Sequence, residues 1–176
     1  PRNTDPGLDE GPRAVKTVPL RGVAEVSRVV VDPALMPTQV SLFSIPALDA
    51  GSPETVTSEE IDSHKLKLMG GEVLISRLNP RKPRVHLVPE GLDCYGVAST
   101  EFVALAPTRA DPRFLRYFLL TESVRQHLDS QVRSATRSHQ RVEPGTIMAL
   151  SVPRLGLEEQ RRIADFLDDQ VSRIDR

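Results

Sequence analysis

The apolar and polar positions of the chain alternate with two periods, first that of strands and then that of helices. EVLISRL (72–78) places Val73 and Ile75 on one face and Leu74 and Ser76 on the other, the period of a β-strand. RVHLV (84–88) alternates in the same way and reads as the return strand of a hairpin, with NPRKPR (79–84) as a basic turn. VASTEFVALAP (97–107) predicts a third strand, stopped by Pro107, after a turn at PEGLDCYG (89–96). Upstream, the β-branched run in VPLRGVAEVSRVVV (18–31) predicts a strand near the start of the domain, and VSLFSIP (40–46) another, closed by Pro46. ALDAGSPETVTSEE (47–60) is turn-rich and polar, a surface loop, and Gly70-Gly71 punctuate the chain before the hairpin.

From residue 111 the period lengthens. DPRFLRYFLLTESVRQHLDSQV (111–132) predicts one helix, with Asp111 as N-cap, Pro112 in the first helical position, and an inward stripe of Leu115, Phe118 or Leu119, Val124 and Leu128. A polar, loop-like stretch (132–145) follows, then TIMALSVPRL (146–155), read as a strand ended by Pro153. In the closing LEEQRRIADFLDDQVSRIDR, Leu157, Ile163, Phe166, Leu167, Val171 and Ile174 recur at three- and four-residue steps. Glu158/Arg162 and Asp169/Arg173 are acid-then-base pairs four apart, the favoured order on a helix. This helix either packs back on its own domain or forms a coiled-coil seam with a partner, and fewer than three heptads do not decide between them. The pattern predicts an α+β domain, a mixed sheet with packing helices, ending in the start of a long helix. It divides into a flexible leader (1–17), a domain (18–155) and the helix (156–176).

Composition narrows the class. Cys94 is the only cysteine, so no internal disulfide can form and a reducing cytoplasm is expected. No apolar run is long enough for a membrane span, and PRNTDPGLDEGPR lacks the apolar core of a targeting peptide. The net charge of −1 conceals an asymmetry: residues 73–141 carry 11 basic and 6 acidic side chains between acidic flanks.

Catalytic patterns are missing from the sequence. Gly70-Gly71 lacks the context of a phosphate loop, there is no GxSxG or HExxH, and His64, His86, His127 and His139 have no metal-ligand spacing. Asp168-Asp169 reads as a solvated helix face, and Cys94, beside Tyr95 in a turn, as an inert thiol. No catalytic residue, metal or cofactor is expected.

Two acid-free segments remain. Between Glu72 and Glu90 lie Arg77, Arg81, Lys82, Arg84 and His86; between Asp129 and Glu143 lie Arg133, Arg137, His139 and Arg141, interleaved with Ser134, Thr136, Ser138 and Gln140. Guanidinium groups bind phosphates and the guanine edge bidentately, and small hydroxyls bond to either. Charge alone leaves a solvated loop and a nucleic-acid surface equally open. With only 4% aromatic residues and no Trp, stacking on single strands is disfavoured, so duplex DNA is the expected nucleic acid.

GEVLISRLNP, GVASTEFVALAP, DPRFLRYFLLTESVRQHL and SATRSHQRVEPGTIMALSVPRLGLEEQRRIADFLDDQVSRID together resemble the target recognition domain of the specificity subunit of type I restriction–modification systems, over roughly residues 18–176. The resemblance implies a non-catalytic, cytoplasmic host-defence protein that reads one half of a bipartite double-stranded DNA target. It implies methyltransferase (modification) subunits and a motor–nuclease (restriction) subunit as partners. It also implies a second recognition domain, in cis or as a homodimer through the terminal helix, which would begin an antiparallel coiled coil. Carried over by motif, the DNA-facing residues are Arg133, Thr136, Arg137, Ser138, His139 and Arg141, with Arg77, Arg81, Lys82 and Arg84 near the same face. SAT stands where the family usually has Gly or Ser before its Thr-Arg pair. Polar stretches 47–64 and 79–95 are candidates for base reading. Three alternatives stand beside this one: the specificity half of a methyltransferase–nuclease that cuts on both sides of its site, a protein-interaction adaptor of the same fold, and a small enzyme using Cys94 as nucleophile.

Overall fold

The computed structural model describes residues 15–132 and 140–174. In chain order the elements are β1 (Thr17–Pro19), β2 (Ala24–Ser27), β3 (Val30–Val31), β4 (Gln39–Phe43), α1 (Ile45–Asp49), β5 (Glu54–Thr57), β6 (Lys65–Lys67), β7 (Val73–Ser76) and β8 (Val85–Leu87). There follow β9 (Tyr95–Ala98), β10 (Phe102–Pro107), α2 (Pro112–Leu119), α3 (Glu122–Ser130), α4 (Pro144–Met148), β11 (Ser151–Pro153) and α5 (Leu157–Ile174).

The alternation read in EVLISRL is what builds the layers. Val73 and Ile75 of β7, with Val103 and Leu105 of β10, face a core completed by Phe114, Leu115, Leu119, Val124, Leu128, Ile147 and Ala164 of the helices. Leu74, Phe102 and Ala104 point the other way, into a second core with Phe43, Leu66, Leu68 and Ala98. Most strands therefore lie in two stacked sheets, one antiparallel in the order β2-β10-β7-β8 and one mixed in the order β3-β6-β9-β4-β5, with β4 and β9 parallel, while β1 and β11 form a separate two-stranded sheet. Helices cover the outer face of the first sheet. Met36, Val40, Ile61 and Val97 form a smaller cluster on the second. The fold is α+β. The predicted hairpin forms, with β7 and β8 pairing Val73 with Leu87 and Ile75 with Val85.

Six expectations are corrected. The run 18–31 holds three short strands, not one: β1 pairs β11, β2 pairs β10 and β3 pairs β6. Pro46 does not close a strand but sits in the first turn of α1, where its missing N–H is harmless, with Ser44 Oγ accepting from Ala47 N as the cap. The stretch 47–60 is accordingly not a plain loop, since β5 pairs with β4 along Leu42↔Glu54 to Gln39↔Thr57.

The predicted strand 97–107 is two strands in different sheets. Ser-Thr-Glu at 99–101 is too polar for the interlayer core and forms a turn, Ser99 Oγ accepting from Glu101 N and Ser99 O from Phe102 N. The predicted helix 111–132 breaks at Thr121, whose backbone is extended and whose hydroxyl donates to Phe118 O. In an unbroken helix Leu119 and Val124 would project about 140° apart; restarting lets both enter the same core, at 1% and 4% exposure. TIMALSVPRL is α4 followed by the three-residue β11, because Pro144 opens a helical turn that buries Ile147.

The last helix is anchored to the domain along its first three turns. Gln160 and Ala164 are buried and Ile163 packs against the helical core, while Phe166 (62% exposed), Val171 and Ile174 (82%) face outward. Gln160 Oε1 accepts from Asp111 N and its Nε2 donates to Leu155 O, each at 2.9 Å. Arg113 Nη1 donates to Asp165 and Asp168, and Tyr117 OH to Asp168. Asp168 thus belongs to a clamp between α2 and α5, and Asp169 pairs with Arg173 at 2.8 Å.

Candidate nucleic-acid interface

The two acid-free basic segments, far apart in sequence, meet at a single junction. Beyond β7 the backbone of residues 77–79 pairs with residues 140–142: Leu78 and Arg141 form an antiparallel bridge, Asn79 N donates to Gln140 O, and Val142 N donates to Arg77 O. Asn79 takes a left-handed conformation (φ 51°), which Asn tolerates better than most residues, and Lys82 N closes the turn on Asn79 O. The hairpin turn carrying Arg81, Lys82 and Arg84 and the downstream end of the segment 133–141 are thereby held side by side. Arg133, Thr136, Arg137, Ser138 and His139 lie outside the described residues.

Glu101, which the sequence did not single out, ties both segments to the turn between the sheets. Its carbonyl accepts from Arg77 N at 2.8 Å, and its carboxylate takes Arg141 bidentately, with Nε at 2.9 Å and Nη2 at 2.6 Å. The Arg141 guanidinium holds the Glu101 carboxyl below the usual range. Arg77 is half-buried, and its Nε donates to Val142 O.

The hairpin cations also have carboxylate partners. Arg84 is mostly buried and binds Asp49 through Nε (2.8 Å) and Nη2 (2.9 Å), and Lys82 reaches the same carboxylate at 3.0 Å. These hydrogen bonds, Arg84 first, hold Asp49 well below the usual carboxylate range. Arg81 pairs with Asp129 at 2.9 Å. Arg81, Lys82 and Arg141 keep 57%, 62% and 45% of their side chains exposed, against 12% for Arg84. Pairs exposed in this way are screened by solvent and set geometry more than stability.

Among the described residues no group of three His, Cys, Asp or Glu side chains could hold a metal ion, and no helix is long and apolar enough to cross a membrane. Cys94 is half-buried, in the turn before β9.

No protein-family model matches the chain, and no curated protein matches it significantly. Solved structures do. The HsdS subunit from Thermoanaerobacter tengcongensis aligns with a TM-score of 0.76 and 24% identity over 96% of this chain and 45% of its own. A chain from a study of complex assembly and conformational transition in a type I R-M system aligns with 0.77 and 24% over 93% and 44%. The type I restriction-modification S subunit from M. genitalium aligns with 0.58 and 12% over 96% and 42%. The chain spans less than half the length of each of these three proteins and has the fold of one half of a type I S subunit.

Proposed function

We propose that this chain is a double-stranded DNA recognition domain that reads one half of a bipartite target and carries no catalysis of its own. In this reading it acts in the cytoplasm as part of a type I restriction–modification specificity subunit. Partner modification subunits methylate adenine, and a partner restriction subunit cleaves. The observation that carries the reading is the junction at Leu78 and Arg141, where both acid-free basic segments converge on a fold shared with specificity subunits.

Arg81, Lys82 and Arg141, together with Arg133 and Arg137, supply cationic contacts to the phosphate backbone, Thr136 and Ser138 supply hydroxyls, and His139 an imidazole N–H donor. Arg84 and Arg77 hold the turn and the junction beneath them. Phosphate contacts fix register, and base contacts in the major groove fix sequence. The outward Phe166, Val171 and Ile174 of α5 fit a helix that continues into a coiled coil with a second recognition domain, supplied in cis or by a second copy.

The test is a fluorescence titration with duplex DNA across a salt series. Each phosphate contact contributes about −0.9 to the slope of log K against log salt, so an interface with a few contacts gives a slope of roughly −3 to −5. Absence of binding to any duplex at low salt, by a protein that melts cooperatively, would favour the adaptor reading instead.

A further inference from the structure

Beside the junction lies a cleft of about 280 Å³ that no basic segment of the sequence announced. It is lined by Ser27, Arg28, Val30, Arg77, Thr100 and Pro144, with Leu66, Phe102 and Ala104 among its apolar walls, and among the described residues no carboxylate lines it. The topology explains why it forms there. Of the four crossings between the four-stranded and the five-stranded sheet, two meet here, that from β2 to β3 and that from β9 to β10. Arg28 lies on the first crossing and Thr100 on the second. Arg77 and Pro144 lie at one end of the pairing, where Val142 N donates to Arg77 O.

Arg28 differs from the cations of the junction. Arg81, Lys82, Arg84 and Arg141 each have a carboxylate partner, whereas Arg28 is exposed and makes no ion pair with any described residue. Two residues on, Val30 is 52% exposed and lines the same cleft. Thr100 is exposed at the tip of the return turn. An unpartnered guanidinium, an exposed branched methyl pair and a hydroxyl in one acid-free cleft match the chemistry of base edges in the major groove. Guanine offers two acceptors to an arginine fork, and thymine offers a methyl group. A phosphate site needs no apolar wall.

We infer that this cleft reads bases of the half-site, with Arg28 donating to the acceptor edge of a guanine, Val30 packing on a thymine methyl and Thr100 bonding to a neighbouring base edge. This rests on the reading of the chain as a DNA recognition domain and deepens it. Arg28, Val30 and Thr100 are specificity-determining residues, distinct from the phosphate-binding cations of the junction.

The experiment expresses the gene encoding this chain with a type I modification subunit in a methylation-free host and sequences modified adenines for wild type, Arg28→Ala, Arg28→Lys and Thr100→Val. Arg28→Ala is expected to keep the motif's length and spacer but make one position degenerate, discrimination there falling roughly tenfold to a hundredfold. Arg28→Lys should not restore it, because a point charge lacks the fork. Thr100→Val should relax a different position in the same half. An unchanged motif in both Arg28→Ala and Thr100→Val overturns the inference and leaves the functional reading standing. So does a uniform loss of methylation in Arg28→Ala that Arg28→Lys restores, the signature of a phosphate contact. No motif from the wild type, with both proteins soluble, overturns the functional reading itself and this inference with it.

Discussion

Replacing Gln160 by Leu tests whether α5 is welded to the recognition domain or merely trails from it. Gln160 is 4% exposed and bonds with two backbone groups, the Asp111 N–H at the N-cap of α2 and the Leu155 carbonyl before α5. Leu nearly conserves the volume and makes neither bond. Each buried group left without a partner costs about 1–3 kcal/mol, so the two together cost roughly 2–6. Gln160 also lines a cleft of about 450 Å³ with Val23, Arg109 and Arg154, through which water can reach the abandoned groups. That places the loss at the lower end, about 2–3 kcal/mol, or roughly 5–10 °C in Tm for a chain of this size. Urea unfolding followed by circular dichroism measures it as a lower midpoint at unchanged m-value. Hydrogen exchange should show weakened protection from residue 157 onward before the sheets are affected. A loss below about 0.5 kcal/mol would show that α5 is held by Ala164 and the Arg113–Asp165–Asp168 contacts instead, and would refute the reasoning.

Gly70 has φ +97°, and a Cβ there would lie 2.5 Å from Glu90 O, so Gly70→Ala should destabilise by more than about 1–2 kcal/mol in the same unfolding assay. Glu72, 3% exposed, accepts from Met69 N (2.7 Å) and Gly70 N (2.8 Å), and Glu72→Gln turns a donor toward one of those N–H groups, with an expected loss of about 1–3 kcal/mol. Burial, and secondarily the charge of Arg116, lowers the pKa of His86 below its usual value, so the unfolded chain binds more protons than the folded one as pH falls. The stability that neutral His86 supplies is complete above pH about 6.5 and is lost on acidification below it; unfolding midpoints should show this dependence reduced in His86→Gln. Arg137→Ala should weaken binding to all duplexes alike and reduce the salt slope by about 1, as titration across a salt series would show; an unchanged slope would remove that segment from the interface.

The parts of the fold legible in the sequence were those set by a local period. Val73, Leu74, Ile75 and Ser76 alternate as read, the return strand pairs back on β7, and Asp111 caps α2 with Pro112 in its first turn. What the sequence hid depended on where a segment packs. The strand propensity of VASTEFVALAP is continuous, and only the stacking of two sheets reveals that Ser99–Glu101 must step between them. The break at Thr121 follows from the need to bury both Leu119 and Val124 in one core. The interface shows the same division. Charge counting found both basic segments, but not that they meet across a Leu78–Arg141 bridge, nor that Glu101 holds Arg77 and Arg141 together. A single acid between two strand-like runs gives no sequence signal of such a role. Arg28, isolated among valines, gave none either.

The methylome of the wild-type protein tests the central claim most directly. The gene encoding this chain is expressed with a type I modification subunit in a methylation-free host, and modified adenines are read by single-molecule sequencing. The account predicts a new bipartite motif with an unspecified spacer: asymmetric where a second, different domain completes the subunit, palindromic where two copies of this one pair through α5. With both proteins expressed and soluble, the absence of any new methylated motif would contradict DNA recognition and leave the adaptor reading in its place.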